Sequence, residues 1–384
     1  MTLQTPRFPG SNAERSRLWN RALVLRHVRT AGASGRAEIA RASGLSTQAV
    51  SNIIADLTGE GLLAEIGRRQ ARRGLPVAQY AVAPSGGHAL GVELRPDAAR
   101  AVLSDLAGRA LWSGRRALAH AGPDEVAGEI NTLRDEALAG SGVCPDRLLG
   151  IGVVMPGPFG HTGLAAAATE LPGWEQTDPA PFLESRLGCA VVIENDANAA
   201  AVAERLSGVA QGLEHYAFLY FGAGLGLGIV SDAGLLRGAF GNAGEIGHVR
   251  IDGRRLEEVA SRVSLARRLS AAGHAAGTVE EIEAALDAPE TGQWLDEAAA
   301  ALGQAVVLLE NLLDPQVVIL GGALPDALID GLISRIVLSP ASLAARPDRT
   351  LPRLMRGAAG RMTATHGAAA LVLDRLFTPR LDAA

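Results

Sequence analysis

The 384-residue chain contains no lysine; all 36 of its basic residues are arginine. That absence removes both a lysine phosphate clamp and the Gly-Lys-Ser/Thr ending of a P-loop from the available chemistry. Cysteine is almost as scarce, with only Cys144 and Cys189 present. Two thiols so far apart exclude a disulfide framework and fit small buried hydrophobes in a reducing compartment. Aromatic residues make up 4%, and no apolar run approaches the roughly 18 residues a membrane helix needs. Residues Met1 to Asn20 are polar and lack the apolar stretch of a secretory signal. These absences predict a cytoplasmic protein with no membrane partner.

What is present is a globular balance of 48% hydrophobic and 20% charged residues, enough to bury sizeable cores. The length calls for two or three domains. The net charge of −5 hides an asymmetry. Residues 1–80 carry 12 arginines against 5 acids, while the remaining residues carry 24 arginines against 36 acids. A basic module on an acidic body suits a polyanion binder joined to an unrelated body, although a solvated arginine-rich surface has the same composition.

Within the basic module, Leu18, Ala22, Leu25 and Val28 recur at helical spacing, which predicts an amphipathic helix over 16–30 with Arg17, Arg21 and Arg29 off the stripe. A break follows at Ala31–Gly35, with Ser34 the expected cap of a short helix from Arg36 to Ala42. Ser43-Gly44-Leu45 reads as a tight turn in which Gly44 takes positive φ. Ser46 then caps a helix from Thr47 to Thr58 with Val50, Ile53, Ile54 and Leu57 inward. Two helices joined by a short glycine turn make a helix-turn-helix. In that geometry Thr47, Gln48, Ser51 and Asn52 face a major groove, where Gln48 and Asn52 suit an adenine edge. The segments Leu62–Ile66 and Val77–Val82 predict a hairpin, a wing whose Arg68, Arg69, Arg72 and Arg73 meet phosphate or a minor groove. A helical hairpin that touches no DNA is the plainer alternative.

From Gly86 onward short apolar runs alternate with helical stretches, the pattern of α/β layers. Asn195-Asp196 follows the strand Val191–Ile193, where open α/β sheets bind ligands. A carboxylate there accepts a hydroxyl proton or hydrogen-bonds a polyol, unless the segment merely caps a helix. Gly222, Gly224, Gly226 and Gly228 permit close approach to a phosphate or, equally well, to packed backbone. Glu245 and His248, three residues apart, face one side if their segment turns helically. No cysteine lies near them, so sugar hydrogen bonding fits better than metal.

Taken in order, the segments Glu194–Ala200, Leu236–His248 and Asn311–Pro315 running into Leu320-Gly321-Gly322 resemble the ROK family of sugar kinases and transcriptional repressors, over nearly the whole chain. The Gly44-Leu45-Ser46 turn with Val50-Ser51-Asn52-Ile53 resembles the repressor branch. The resemblance implies an α/β, actin-like (RNase H-like) body of two lobes with an N-terminal winged helix-turn-helix. The expected domains are 1–82 for the winged helix, 86–205 for the first lobe and 206–384 for the second, with the last helix packing back on the first lobe. It also implies that Asn195, Asp196, Glu245, His248, Glu257 and Thr169 contact a sugar, Asp196 being the equivalent of the kinase base.

Three departures from the family pattern matter. Val92-Glu93-Leu94-Arg95-Pro96-Asp97 stands where family kinases carry an Asp-x-Gly-Gly-Thr phosphate loop, and Ala223 stands where they commonly carry a phosphate-binding Thr. Loss of both contacts should abolish transfer, which is largely positioning of the nucleotide. The family's zinc-binding cysteine segment is shortened to residues 249–256 and has no cysteine, so no zinc or other cofactor is expected. The implied protein is a sugar-responsive repressor of carbohydrate genes, not an enzyme, that binds an operator in double-stranded DNA as a homodimer or dimer of dimers. An ATP-dependent sugar kinase with an appended DNA-binding domain, or a DNA-binding scaffold with an empty pocket, are the alternatives.

Overall fold

The periodic apolar positions of the first sixty residues fold as three helices. The structure, a computed structural model, describes residues 13–70, 76–157, 171, 173–175, 177–340 and 342–378. Its contacts divide the chain into a smaller unit, residues 1–87 with 373–384, and a larger one, residues 88–372. No helix among the described residues is long and apolar enough to cross a membrane.

In the smaller unit, α1 (Ala13–Ala31) buries Ala22, Val24, Leu25 and Val28. Leu18, expected on that stripe, is 50% exposed, so the buried face begins a turn later. Helix α2 (Arg36–Ser43) starts from Gly35 and not from a Ser34 cap. Ser34 is instead buried: its backbone bridges to Tyr80 and its hydroxyl lies 3.0 Å from His27 Nε2. Gly44 closes α2 in the left-handed region at φ 71°, a conformation only glycine adopts without strain. In α3 (Thr47–Gly59), Ser46 Oγ accepts the Ala49 N–H at 3.2 Å, capping the helix. Val50, Ile54 and Leu57 point into the core. Strands β1 (Leu63–Arg69) and β2 (Val77–Val82) pair antiparallel, with an irregularity between Glu65 and Gly67.

The larger unit is built from two sheets with one plan. The first contains β3 (His88–Arg95), β4 (Ala98–Asp105), β5 (Ala110–Ala117), β6 (Leu148–Val154) and β7 (Val191–Glu194), in the order β5-β4-β3-β6-β7. Helices α4 (Pro123–Ser141) and α5 (Pro179–Leu187) cover one face of it. After α6 (Asp196–Ser207) comes the second sheet, made of β8 (Tyr216–Phe221), β9 (Leu225–Ser231), β10 (Gly234–Leu235), β13 (Val317–Gly322) and β14 (Leu354–Arg356), in the order β10-β9-β8-β13-β14. In each, an antiparallel three-strand meander is followed by two parallel strands reached through crossovers. The small hairpin β11 (Arg250–Ile251) and β12 (Arg254–Arg255) leads into α7 (Leu256–Val259), α8 (Arg262–Ala271), α9 (Val279–Ala284) and α10 (Pro289–Leu313). Helices α11 (Asp326–Arg335) and α12 (Thr363–Phe377) complete the fold.

The helical stretch that begins at Leu256 is not continuous: the chain breaks at Ala260-Ser261. The Ser261 hydroxyl accepts the Ser264 N–H at 3.1 Å and starts α8 afresh.

Period-two alternation decides what faces what. Leu90, Val92 and Leu94 of β3 join the core beneath α4 and α5, so Gly91, Glu93 and Arg95 point the other way. On β8, Ala217, Leu219 and Phe221 pack with Trp294 and Leu302 of α10, leaving Tyr216, Phe218 and Tyr220 on the opposite face. Helices α6 and α12 fill the space between these two inward faces. A Cβ on Gly152 would collide with the Ala368 carbonyl oxygen, and one on Gly367 with that of Ala199. The glycines let strand, α12 and α6 approach backbone to backbone.

Candidate functional site

The smaller unit presents one polar surface. Thr47, Gln48 and Asn52 are exposed and Ser51 is half-buried, all at the start or outer side of α3. Gln48 Nε2 donates to Asn52 Oδ1 at 3.0 Å, so the two amides are ordered as a pair one turn apart. Arg17 pairs with Asp56 at 3.1 Å and Arg21 pairs with Glu60, each tying α1 to α3. On the wing, Arg68 lies 3.9 Å from Glu65 and projects into solvent. Arg69 pairs with Glu38, which also accepts the Gly35 N–H at 3.0 Å at the start of α2. The Gly35 N–H and the Arg69 guanidinium hold the Glu38 carboxyl below the usual carboxylate range. Arg69 therefore joins the wing to α2. Arg72 and Arg73 lie outside the described residues, as does Thr169.

In the larger unit the chemistry gathers at the C-terminal ends of β3, β7 and β8, the side of an α/β sheet where ligands bind. Asn195 is the N-cap of α6, its Oδ1 accepting the Asn198 N–H at 2.8 Å. Capping thus falls to Asn195, the residue just before the helix. Behind it the buried Glu194 accepts from Asn198 Nδ2 and from Arg237 Nε, both at 2.9 Å, fixing the strand-to-helix junction. Asp196 Oδ1 accepts the Ala197 N–H at 2.9 Å. Burial pushes its carboxyl up to about 6, with Arg95 pulling it down and Glu93 adding to the rise.

Arg95 is the group that sequence reasoning left without a role. Its Nε donates to Glu93 Oε1 at 2.8 Å and its Nη2 to the Tyr220 hydroxyl at 3.4 Å, linking the two sheets. Glu93 is 3% exposed, and Thr365 of α12 donates to its other oxygen at 2.5 Å. Burial works against the charge on Arg95, but Glu93, Tyr220 and Asp196 outweigh it and keep the guanidinium protonated. Burial, with Glu93 and Asp196 nearby, pushes the Tyr220 phenol well above its usual range. One signal was available: an acid between Val92 and Leu94 on a strand buried on both faces must have a partner, and Arg95 shares its face.

The two halves of the glycine segment have different neighbours. Gly226 and Gly228 lie against Ala197 and Ala201 of α6, a packing role. Gly222 lies beside Asp196 and Tyr220, and Gly224 beside Glu257, so their bare backbone lines the polar site. Glu245 stands at the N-cap position of a single 3-10 turn, Ile246–His248, without a side-chain capping bond. Burial raises the Glu245 carboxyl, opposed by His248 and reinforced by Glu257. His248 is exposed, and Glu257 is half-buried with Arg255 Nη1 at 3.2 Å. Asp196 and Glu257 thus lie beside Gly222 and Gly224 of one loop, and Glu245 lies within electrostatic reach of Glu257 and His248.

Zinc does not fit here. The residues between His248 and Glu257 form the β11–β12 hairpin, closed by Asp252 at φ 49° and Gly253 at φ 79°. Two positive φ values in a two-residue loop are the type I′ pattern, for which Asp-Gly is a favoured pair. Gln304 of α10 donates to Asp252 Oδ2 at 2.9 Å, and Leu256 is fully buried. Among the described residues no group of three His, Cys, Asp or Glu is arranged to hold a metal ion.

Comparison with known proteins agrees with this layout. A xylose repressor of Bacillus spizizenii is 26% identical over 233 residues, covering 61% of this chain and 60% of the repressor. A glucokinase of Halalkalibacterium halodurans is 30% identical over 221 residues, covering 50% of this chain and 67% of the kinase. The fold matches the crystal structure of a ROK family transcriptional regulator, a homologue of the E. coli MLC protein. The TM-score is 0.71 at 24% identity, over 94% of this chain and 97% of that one. Residues 91–375, which contain every part of the polar site, match the ROK family. The chain belongs to the ROK family.

Proposed function

We propose that the chain is a sugar-responsive transcriptional regulator, a repressor of carbohydrate uptake or catabolic genes, whose kinase-like cleft binds a sugar without phosphorylating it. The observation that carries this reading is the Glu93–Arg95 pair beside Asp196. The groups suited to a polyol remain, while a charged side chain stands where a kinase needs bare glycine backbone against nucleotide phosphates.

In this reading Asn195, Asp196, Glu245, His248 and Glu257 hydrogen-bond the sugar, with Thr169 a further contact. Thr47, Gln48, Ser51 and Asn52 read base edges of a double-stranded operator. Arg68, Arg72 and Arg73 meet phosphate or a minor groove, with Arg69 held partly by Glu38. Two copies bind a palindromic site as a dimer, and sugar binding changes the placement of the two recognition helices. The setting is the cytoplasm.

Gel shifts on the operator region of neighbouring sugar genes, with and without a sugar panel, test this directly. One sugar should change operator affinity at least tenfold; unchanged affinity across the panel would remove the effector role. The kinase alternative draws on Asp196, whose raised carboxyl suits a general base. Turnover in an ATP-coupled assay on the same panel would establish it.

A further inference from the structure

Phe240 is 84% exposed, at the tip of a loop that is built to hold it there. The loop follows β10 and is pinched shut at its neck, where the Ala243 N–H donates to the Arg237 carbonyl at 3.0 Å. Gly238 at φ 73° and Gly241 at φ 82° take the left-handed backbone on either side of the tip. Asn242 Nδ2 donates to the Phe240 carbonyl at 3.3 Å. The chain has only seven Phe, four Trp and three Tyr. Among the described residues every aromatic other than Phe240 is at most 36% exposed.

A single apolar side chain on a surface is ordinary; the feet of this loop make Phe240 a special case. Arg237, the first foot, donates from Nε to Glu194 Oε2 at 2.9 Å, and Glu194 immediately precedes Asn195 and Asp196. The second foot is Gly244, which lies so close to the Leu227 carbonyl of β9 that a Cβ would collide with it. Glu245 follows directly, and Gly247 of the same turn lies beside Glu257. Three residues of chain reach at most about 10 Å. Phe240 therefore stays within that distance of a neck flanked by Asn195 and Asp196 on one side and by Glu245 on the other.

We propose that Phe240 is an apolar platform of the ligand site, its ring lying against a C–H face of the bound sugar and favouring a cyclic sugar over an acyclic polyol with the same hydroxyls. This rests on reading the body as a sugar sensor and adds a residue that sets what the sensor accepts. The polar side chains of the site suit hydroxyls, but a sugar ring also has C–H faces, which no hydrogen bond can satisfy. Covering such a face takes apolar area of both partners out of water. The face of a phenyl ring is its negative side and C–H groups are weakly positive, so the contact is directional as well. An open-chain polyol holds no fixed C–H face and must lose torsional freedom to present one. The loop's backbone is already ordered by its neck bond and Asn242, so binding has only the two torsions of the ring to fix.

Calorimetry on the full chain, with aldohexoses and aldopentoses each beside its alditol, tests the proposal. Phe240→Ala should weaken the best cyclic sugar by about tenfold and leave its alditol within about twofold, with the unfolding midpoint unchanged because the side chain is exposed. Phe240→Tyr should restore the affinity. Phe240→Trp should add a sugar-dependent fluorescence change beyond that of the parent protein. Equal affinity of parent and Phe240→Ala for the cyclic sugar overturns the proposal and leaves the regulator reading intact. An equal loss on sugar and alditol makes the loop structural and overturns it too. So does a changed oligomeric state in Phe240→Ala with sugar affinity intact, which assigns the ring to a protein contact. If the parent chain binds neither sugars nor alditols, the sensor reading itself fails, and the proposal with it.

Discussion

The polar outer face of α3 and the polar corner of the larger unit are held in place by opposite means. On α3 the ordering contacts are local: Ser46 to Ala49 across 3 residues, Gln48 to Asn52 across 4. In the corner they are remote: Arg95 reaches Tyr220 across 125 residues, and Thr365 reaches Glu93 across 272. A surface that reads a rigid polymer needs side chains displayed on a preformed helix, which neighbours in sequence can organise. A site that encloses a small ligand needs groups from several elements to converge, and only the completed fold supplies them.

That contrast can be broken experimentally. The largest effect is expected from Glu93→Ala, which leaves the mostly buried Arg95 charge without its carboxylate. Chemical denaturation should show a loss of about 3–5 kcal/mol; a loss below about 1 kcal/mol would make the corner no more structural than the surface. Next comes Asn52→Ala. Fluorescence anisotropy with operator DNA should register about 1–3 kcal/mol of lost discrimination against altered base pairs, with the unfolding midpoint unchanged. A loss that is equal on all sequences would turn Asn52 into a backbone contact. The smallest effect is that of Ser46→Ala, which removes the α3 cap at a cost of about 1 kcal/mol. It should lower thermal stability and operator affinity together while leaving sugar affinity alone.

Legibility in the sequence follows the same division. The Gly44 turn, the Ser46 cap and the outward face of α3 were readable because each depends on residues within one or two turns. Asn195 and Asp196 were readable as the polar end of an apolar strand. The Ser34 cap was misplaced because Tyr80, from the wing, claims that backbone for a bridge, a long-range competitor that no local rule includes. The break between α7 and α8 has a local cause, the capping power of Ser261 within an apolar pattern. Arg95 was read as the loss of a glycine loop. What it gains instead became visible only once β8 had brought Tyr220 opposite it and α12 had brought Thr365 to Glu93.

Helix α12 carries a consequence for how the protein is made. The inward face of the first sheet is closed by residues 365–369, which fill the glycine-lined groove at Gly91 and Gly152 and supply the hydroxyl for Glu93. The last strand of that sheet, β7, ends at Glu194, so about 175 further residues must leave the ribosome before the groove is covered. At ordinary synthesis rates the wait is on the order of ten to thirty seconds. Throughout it the nascent chain exposes an open groove and a Glu93 carboxylate that still lacks its Thr365 partner, an intermediate that a holding chaperone would recognise.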